Sequence, residues 1–235
     1  MRNISIGILA GMGPRSTTPF LELVLDECQK QYSAKYDIDY PHIIIYSLPT
    51  PFYVDREIDN DQLKKSIIDG AIRLNSFNVD IIAIPCNTAH KYFTSIKNEC
   101  SAKVLHIVNE TMKHIPKNSK VTVLATESTI ASNLYQQGIQ AKNCEFVFLP
   151  NWQLEVNKII YMIKNKESEQ NILVSWNKLI KDITDTGVTN IVLGCTDLSV
   201  IKNNNSSINI IDSAVCLARA VVTEYCKLIN NVIIE

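Results

Sequence analysis

Cys86 and Cys195 each follow a short aliphatic run and precede a small polar residue. Cys86 closes Ile81-Ile82-Ala83-Ile84-Pro85 and is followed by Asn87-Thr88-Ala89-His90. Cys195 closes Ile191-Val192-Leu193-Gly194 and is followed by Thr196-Asp197. Such a run reads as a buried strand, and the polar residue after it as a helix start. A thiol at that junction meets free backbone N–H groups and the positive end of the helix, which favour the thiolate against an ordinary pKa of about 8.5. It can act as nucleophile or as a proton-transferring base. Free cysteines more often serve as small buried hydrophobes. Position after the strand rather than inside it, twice over, favours chemistry and predicts one substrate between two thiols. Cys28, Cys100, Cys144, Cys216 and Cys226 lie inside helical or strand patterns, or at segment ends without that context, and read as packing residues.

Small polar residues stand beside the thiols. Asn87, Thr88 and Thr196 suit a substrate carboxylate, together with helix N-terminal N–H groups, although the same residue types are favoured as N-caps. Thr126, Ser128 and Thr129 carry the same two readings at the end of another aliphatic run. Gly11-Met12-Gly13-Pro14-Arg15-Ser16-Thr17 follows the first run. Gly-x-Gly there invites a dinucleotide reading, but the third glycine is missing and Pro14 stands where the phosphate turn needs a backbone donor. A tight turn that presents Ser16 and Thr17 at a helix start fits better. Arg56 and Lys164 are candidate carboxylate partners that spacing alone does not select.

The elements that must position these residues alternate along the chain. Aliphatic runs at 4–10, 42–48, 79–84, 103–106, 120–125, 144–149, 190–194 and 208–211 predict strands. Helical periodicity predicts helices at about 15–33, 60–77, 88–100, 127–137, 152–165, 170–186 and 213–230, with Gly138 and Gly187 as C-caps. The runs are nearly all apolar, as in parallel sheets covered on both faces. Strand-helix alternation predicts an α/β fold with right-handed crossovers. The signals also repeat. Ile8-Leu9-Ala10-Gly11 is matched by Val123-Leu124-Ala125-Thr126, Tyr46-Ser47-Leu48-Pro49 by Val147-Phe148-Leu149-Pro150, and Ile84-Pro85-Cys86-Asn87-Thr88 by Leu193-Gly194-Cys195-Thr196-Asp197. The kept order reads as a duplication into two pseudo-symmetric α/β lobes, each with a mainly parallel sheet flanked by helices. The first lobe is 1–117 and the second 118–211. The segment from Asp212 breaks the repeat and is expected to pack back on the first lobe as a helix over 212–235. Ligands bind at the carboxyl ends of strands in open α/β sheets. Gly11, Pro49, Cys86, Thr126, Pro150 and Cys195 are therefore expected to border one cleft between the lobes.

Composition narrows the classes. The chain has 235 residues, 46% of them hydrophobic, and a formal net charge of -1. That allows a large core and gives no electrostatic reason for a nucleic-acid or anionic-membrane partner. No apolar run approaches the ~18–20 residues of a membrane span. The first residues read as a strand rather than a secretory signal, which predicts a cytoplasmic protein. Seven cysteines, an odd number, argue against a disulfide framework. No Cys/His spacing suits zinc, so no metal is expected.

Pro85-Cys86-Asn87-Thr88-Ala89-His90 together with Gly194-Cys195-Thr196-Asp197 resembles the aspartate/glutamate racemase family of cofactor-independent amino-acid racemases. The resemblance covers essentially the whole chain, starting at Gly7-Ile8-Leu9-Ala10-Gly11-Met12-Gly13-Pro14. Glutamate racemases usually carry His at the position of Asp197 and the aspartate branch usually Glu, so the likeness is to the aspartate and broad-specificity branch. It implies a site between two lobes, a homodimer, no cofactor, and a small-molecule amino acid as partner. It implies racemisation at Cα, with aspartate and glutamate as the expected substrates, by Cys86 and Cys195, one thiolate removing the proton and one thiol returning another. Gly11, Met12, Thr17, Pro49, Asn87, Thr88, Thr126 and Thr196 would contact the substrate. An Arg after the second strand and a Lys in the second lobe would hold an acidic side chain, roles that fall to Arg56 and Lys164. Arg56 lies further past Pro49 than the family pattern, which opens neutral amino acids as substrates. Isomerisation or decarboxylation on the same fold is the rival reaction class, and some of those enzymes keep only one of the two cysteines. An amino-acid-binding protein without catalysis is the non-enzymatic rival, and it has no use for paired thiols.

Overall fold

In the computed structural model, residues 4–53, 56–201 and 208–234 are described. The strands β1 (Ser5–Ala10), β2 (His42–Ser47), β3 (Ile81–Ala83) and β4 (Lys103–Val104) form one sheet in the order β2-β1-β3-β4. The strands β5 (Lys120–Leu124), β6 (Glu145–Phe146), β7 (Asn190–Leu193) and β8 (Asn209–Asp212) form a second in the order β6-β5-β7-β8. Every pairing is parallel. The two orders are the same, so the chain is two pseudo-symmetric α/β halves with a helical layer on both faces of each sheet.

Nine α-helices connect the described strands: α1 (Thr17–Tyr32), α2 (Asn60–Asn75), α3 (Phe93–Glu99), α4 (Ile107–Met112), α5 (Glu127–Ala131), α6 (Leu134–Ala141), α7 (Pro150–Lys164), α8 (Glu169–Thr184) and α9 (Ser213–Ile234). Alternation along β1 decides what each face buries. Ile6 and Ile8 join Val121 and Val123 of β5, Phe20 and Val24 of α1, and Leu217 and Val221 of α9 in one core shared by both halves. Leu9 faces the other way, with Ile82, onto Leu63, Ile67 and Leu74 of α2. Trp152, Ile160 and Trp176 cover the outer face of the second sheet with Ile191 and Leu193 of β7.

The largest departure from the sequence reading concerns symmetry. The segment from Asp212 does not break the repeat, because the unpredicted α4 is its counterpart. Each follows the last strand of its sheet and crosses to the other half. α4 lies against α6, and α9 lies along α1. Arg219 Nε of α9 is 3.7 Å from Glu27 Oε2 of α1, and Thr223 Oγ1 donates to Gln31 Oε1 at 2.9 Å. Other departures are local. The helix expected over 127–137 is broken at Asn133, which has a left-handed φ of 58°. Gly138 therefore sits inside α6 rather than capping a helix, with Met112 of α4 against it. Gly187 does turn left-handed just past α8, at φ 79°. The run at 144–149 yields only the two-residue β6, and α7 starts at an exposed Pro150 instead of at a cleft wall. Among the described residues, no helix is long and apolar enough to cross a membrane.

Candidate active site

The parallel strands deliver their carboxyl ends to one place. β1 ends at Ala10, and Gly11 turns the chain at φ 91°, where an added Cβ would stand 2.5 Å from the Leu48 carbonyl oxygen. Only glycine has the conformation and the clearance for that turn. β3 leads through Ile84 and Pro85 to Cys86, just ahead of a 3-10 turn at Thr88–Tyr92. β7 leads through Gly194 to Cys195, which caps a 3-10 turn at Thr196–Val200. Both cysteines are free, and both line a single cavity of about 330 Å³ between the halves. Gly11, Met12, Pro49, Asn87, Thr88, Thr126, Lys164 and Thr196 line it too. Thr17 stands one step back, its Oγ1 accepting the Gly11 N–H at 3.3 Å.

Arg56 is placed elsewhere. It lines an adjoining pocket of about 340 Å³ with Lys91, Glu127 and Ser128, and its guanidinium lies 4.9 Å from the centre of the Tyr53 ring. Arg56 and Lys164 thus line two adjoining pockets that share Phe52 and Thr126. Lys164 does reach the cavity, where its Nζ pairs with Asp197 Oδ2 at 2.9 Å.

The thiol electrostatics also depart from expectation. Burial pushes Cys86 up to about 11; the N–H groups of Ala89 and Thr88 and the Lys164 ammonium oppose the rise, and the Asp197 carboxylate adds to it. Cys195 is raised as well, first by burial and then by Asp197, with the Asp197 N–H and Lys164 opposing. The sequence predicts lowered values from helix N-termini. Both N-termini are those of 3-10 segments, Thr88–Tyr92 and Thr196–Val200, and desolvation outweighs their N–H groups. At neutral pH both groups carry their protons.

Hydrogen bonds between the halves set the loops. Asn87 Nδ2 donates to Ser213 Oγ at 2.9 Å, and its Oδ1 accepts from Tyr135 Oη at 2.7 Å. Thr196 Oγ1 lies 3.0 Å from the Pro85 carbonyl oxygen, to which it donates. The hydroxyls of Thr88, Thr126 and Thr129 form a triangle with edges of 3.0, 2.9 and 3.1 Å. The side chains of Asn87 and Thr196, read from sequence as substrate contacts, thus join the two halves.

Two contributors escaped the sequence reading. His90 Nε2 accepts the Ile107 N–H at 3.1 Å, which leaves the ring proton on Nδ1, 2.9 Å from the Cys86 carbonyl oxygen. Its position four residues past Cys86 was the available signal. Asp197 was noted only as a family departure, although its place directly after Cys195-Thr196 puts it at the cavity. Among the described residues, no group of three or more His, Cys, Asp or Glu side chains could hold a metal ion.

The broad specificity amino-acid racemase RacX of Bacillus subtilis (strain 168) is 48% identical over 222 residues, which is 94% of this chain and 97% of that one. The structure of Picrophilus torridus aspartate racemase superposes with a TM-score of 0.76 at 25% identity, covering 95% of each chain. Glutamate racemase from Francisella tularensis subsp. tularensis SCHU S4, solved with D-glutamate, shares the fold with a TM-score of 0.69 at 18% identity, over 96% of this chain and 82% of that one. The family model described as Asp/Glu/Hydantoin racemase matches residues 9–221. Both cysteine loops fall within that span, and on this match the chain belongs to the Asp/Glu/Hydantoin racemase family.

Proposed function

We propose that the protein interconverts the enantiomers of α-amino acids by proton transfer through Cys86 and Cys195. One observation carries the reading: a thiol from each half opens onto the same cavity of about 330 Å³, a size suited to one amino acid. As substrate enters, one thiol gives up its proton to bulk solvent, an ionisation that the positive α-ammonium beside the sulfurs makes less costly. That thiolate removes the α-proton. The thiol on the other side returns its own proton to the opposite face of the planar carbanion. Racemisation in both directions needs either sulfur to act as base. Each has its own support as an anion, Cys86 from the N–H groups of Ala89 and Thr88 and Cys195 from that of Asp197. The 48% identical relative, named for broad specificity, supports a range of substrates. On the family resemblance we also read the protein as a cytoplasmic homodimer.

The test is isotopic. Either enantiomer of a substrate incubated in deuterated water gains α-deuterium and loses optical rotation. Cys86→Ser and Cys195→Ser each lower racemisation by about a hundredfold or more, the usual range for losing a positioned acid or base. Wild-type racemisation by either variant rules out the two-thiol scheme. Ligand binding with no α-exchange in the wild-type protein would establish the binding-only alternative.

A further inference from the structure

Both cysteine loops are held from behind by the junction of β8 and α9. In the β7–β8 ladder Asp212 pairs with Leu193, two residues before Cys195. Its Oδ1 accepts the Ala214 N–H at 2.8 Å, which caps the start of α9. The same oxygen accepts from Ser199 Oγ at 2.9 Å, and Ser199 belongs to the 3-10 turn that Cys195 caps. The next residue, Ser213, is fully buried and serves the other loop. Its Oγ accepts from Asn87 Nδ2 at 2.9 Å, and Asn87 directly follows Cys86. Two adjacent residues thus hold one thiol loop each. None of Ser199, Asp212 and Ser213 lines the cavity.

The junction is a firm anchor. α9 buries Leu217, Ala218, Val221 and Val222 in the core shared by the halves. A group fixed to such a helix start has little freedom of its own, and side chains bonded to it inherit that placement. Helix capping accounts for the bond from Asp212 to Ala214. It does not account for Ser199 on the same oxygen, or for Asn87 reaching across the halves to Ser213.

We propose that Asp212 and Ser213 are positioning residues for the two thiols. Asp212 sets the Cys195 turn through Ser199, and Ser213 sets the Cys86 loop through Asn87, so one junction fixes where base and acid stand relative to each other. The inference rests on the two-thiol reading above.

The experiment releases one loop at a time. Ser199→Ala frees the Cys195 turn and leaves the α9 cap in place, and Ser213→Ala frees the Cys86 loop. Each is expected to lower kcat about tenfold and to change KM less than about twofold, because proton transfer falls steeply with misplacement. Ser199→Thr keeps the hydroxyl and restores kcat. The measurement that separates positioning from stability is the primary isotope effect on kcat/KM in each direction. It uses α-deuterated enantiomers of whichever of aspartate, glutamate, methionine, leucine and lysine the wild type racemises fastest. A displaced thiol makes its own proton transfer the slower of the two. The isotope effect then rises for the enantiomer that this thiol deprotonates and falls for the other. Ser199→Ala and Ser213→Ala are therefore expected to give opposite patterns. The enantiomer whose α-hydrogen Cys195→Ser no longer exchanges with deuterated water belongs to Cys195, and Ser199→Ala raises the effect for that one. The same pattern in both variants, or wild-type isotope effects in Ser199→Ala, overturns the proposal and leaves the junction a helix cap. Should Ser213→Ala fail to fold, Ser199→Ala and Ser199→Thr decide alone. A wild-type protein that racemises none of the five overturns the racemase reading itself, a failure seen before any variant is measured.

Discussion

Thr196 follows Cys195, yet its hydroxyl reaches the carbonyl of Pro85, the residue before Cys86, at 3.0 Å. The two cysteine loops are thereby tied by a hydrogen bond between the halves, with one residue between it and each thiol. Thr196→Val keeps the shape and removes the donor. It is expected to cost about 1 kcal/mol of stability and to lower kcat about tenfold with little change in KM, because proton transfer depends steeply on sulfur placement. Thr196→Ser restores both. Separate kcat and KM values decide the matter: a rise in KM at constant kcat would show that the hydroxyl binds substrate instead. At this scale the sequence revealed the two cysteines, because a strand end is visible as the end of an apolar run. It hid where Arg56 points, since loop direction leaves no periodic trace. It also reversed the sign of the thiol shifts, because desolvation depends on both halves closing over the sulfurs.

His90 couples the Cys86 loop to the next helix. Its Nδ1–H meets the Cys86 carbonyl and its Nε2 takes the first N–H of α4, so the ring must stay neutral. Burial, with the nearby His106 adding to it, lowers its pKa to about 4. An unfolded histidine takes up its proton near 6.5. Between these values the unfolded state binds more protons, so stability falls as pH drops through the interval and is fully present above it. The loss is about 3 kcal/mol by pH 4. Urea unfolding across this range should show the decline in wild type and a flatter curve in His90→Gln. Parallel curves would assign the acid lability to groups other than His90. The long elements were legible from periodicity, whereas α4 was not. Ile107, Val108, Thr111 and Met112 do form its buried face, but six residues give too little pattern to distinguish from a loop. The run at 144–149 failed in the opposite sense. Its apolar residues are there, but only Glu145 and Phe146 keep the β5 ladder, and the rest lead into α7.

At the scale of the whole molecule, the two halves share a core cluster. Ile8 of the first sheet and Val123 of the second belong to one buried cluster, closed by α1, α4, α6 and α9. Unfolding is therefore expected to be one transition. Both tryptophans, Trp152 and Trp176, lie in the outer core of the second half, so fluorescence reports that half alone. Far-ultraviolet circular dichroism reports both. The two curves should share a midpoint in denaturant; a dichroism change that precedes the fluorescence change would show that the halves melt separately. The repeat itself was legible from matched strand ends. The exchange of helices was not, because it is a relation between segments distant in sequence.

That exchange bears on how two like thiols come to have unlike surroundings. Each half supplies its last helix to the other, α4 to α6 and α9 to α1. Two identical copies of one half could meet the same need only as a dimer with its axis through the cavity, and every group would then face its own twin. A single chain carries no such obligation. Asn87 can follow one cysteine and Thr196 the other, and Asp197 can stand where its partner position holds Thr88. A symmetric site presents the same wall to both ends of a ligand; under the two-thiol scheme proposed above, unlike walls would let the site tell the ammonium, the carboxylate and the side chain apart while a proton is offered to each face of the carbon between them.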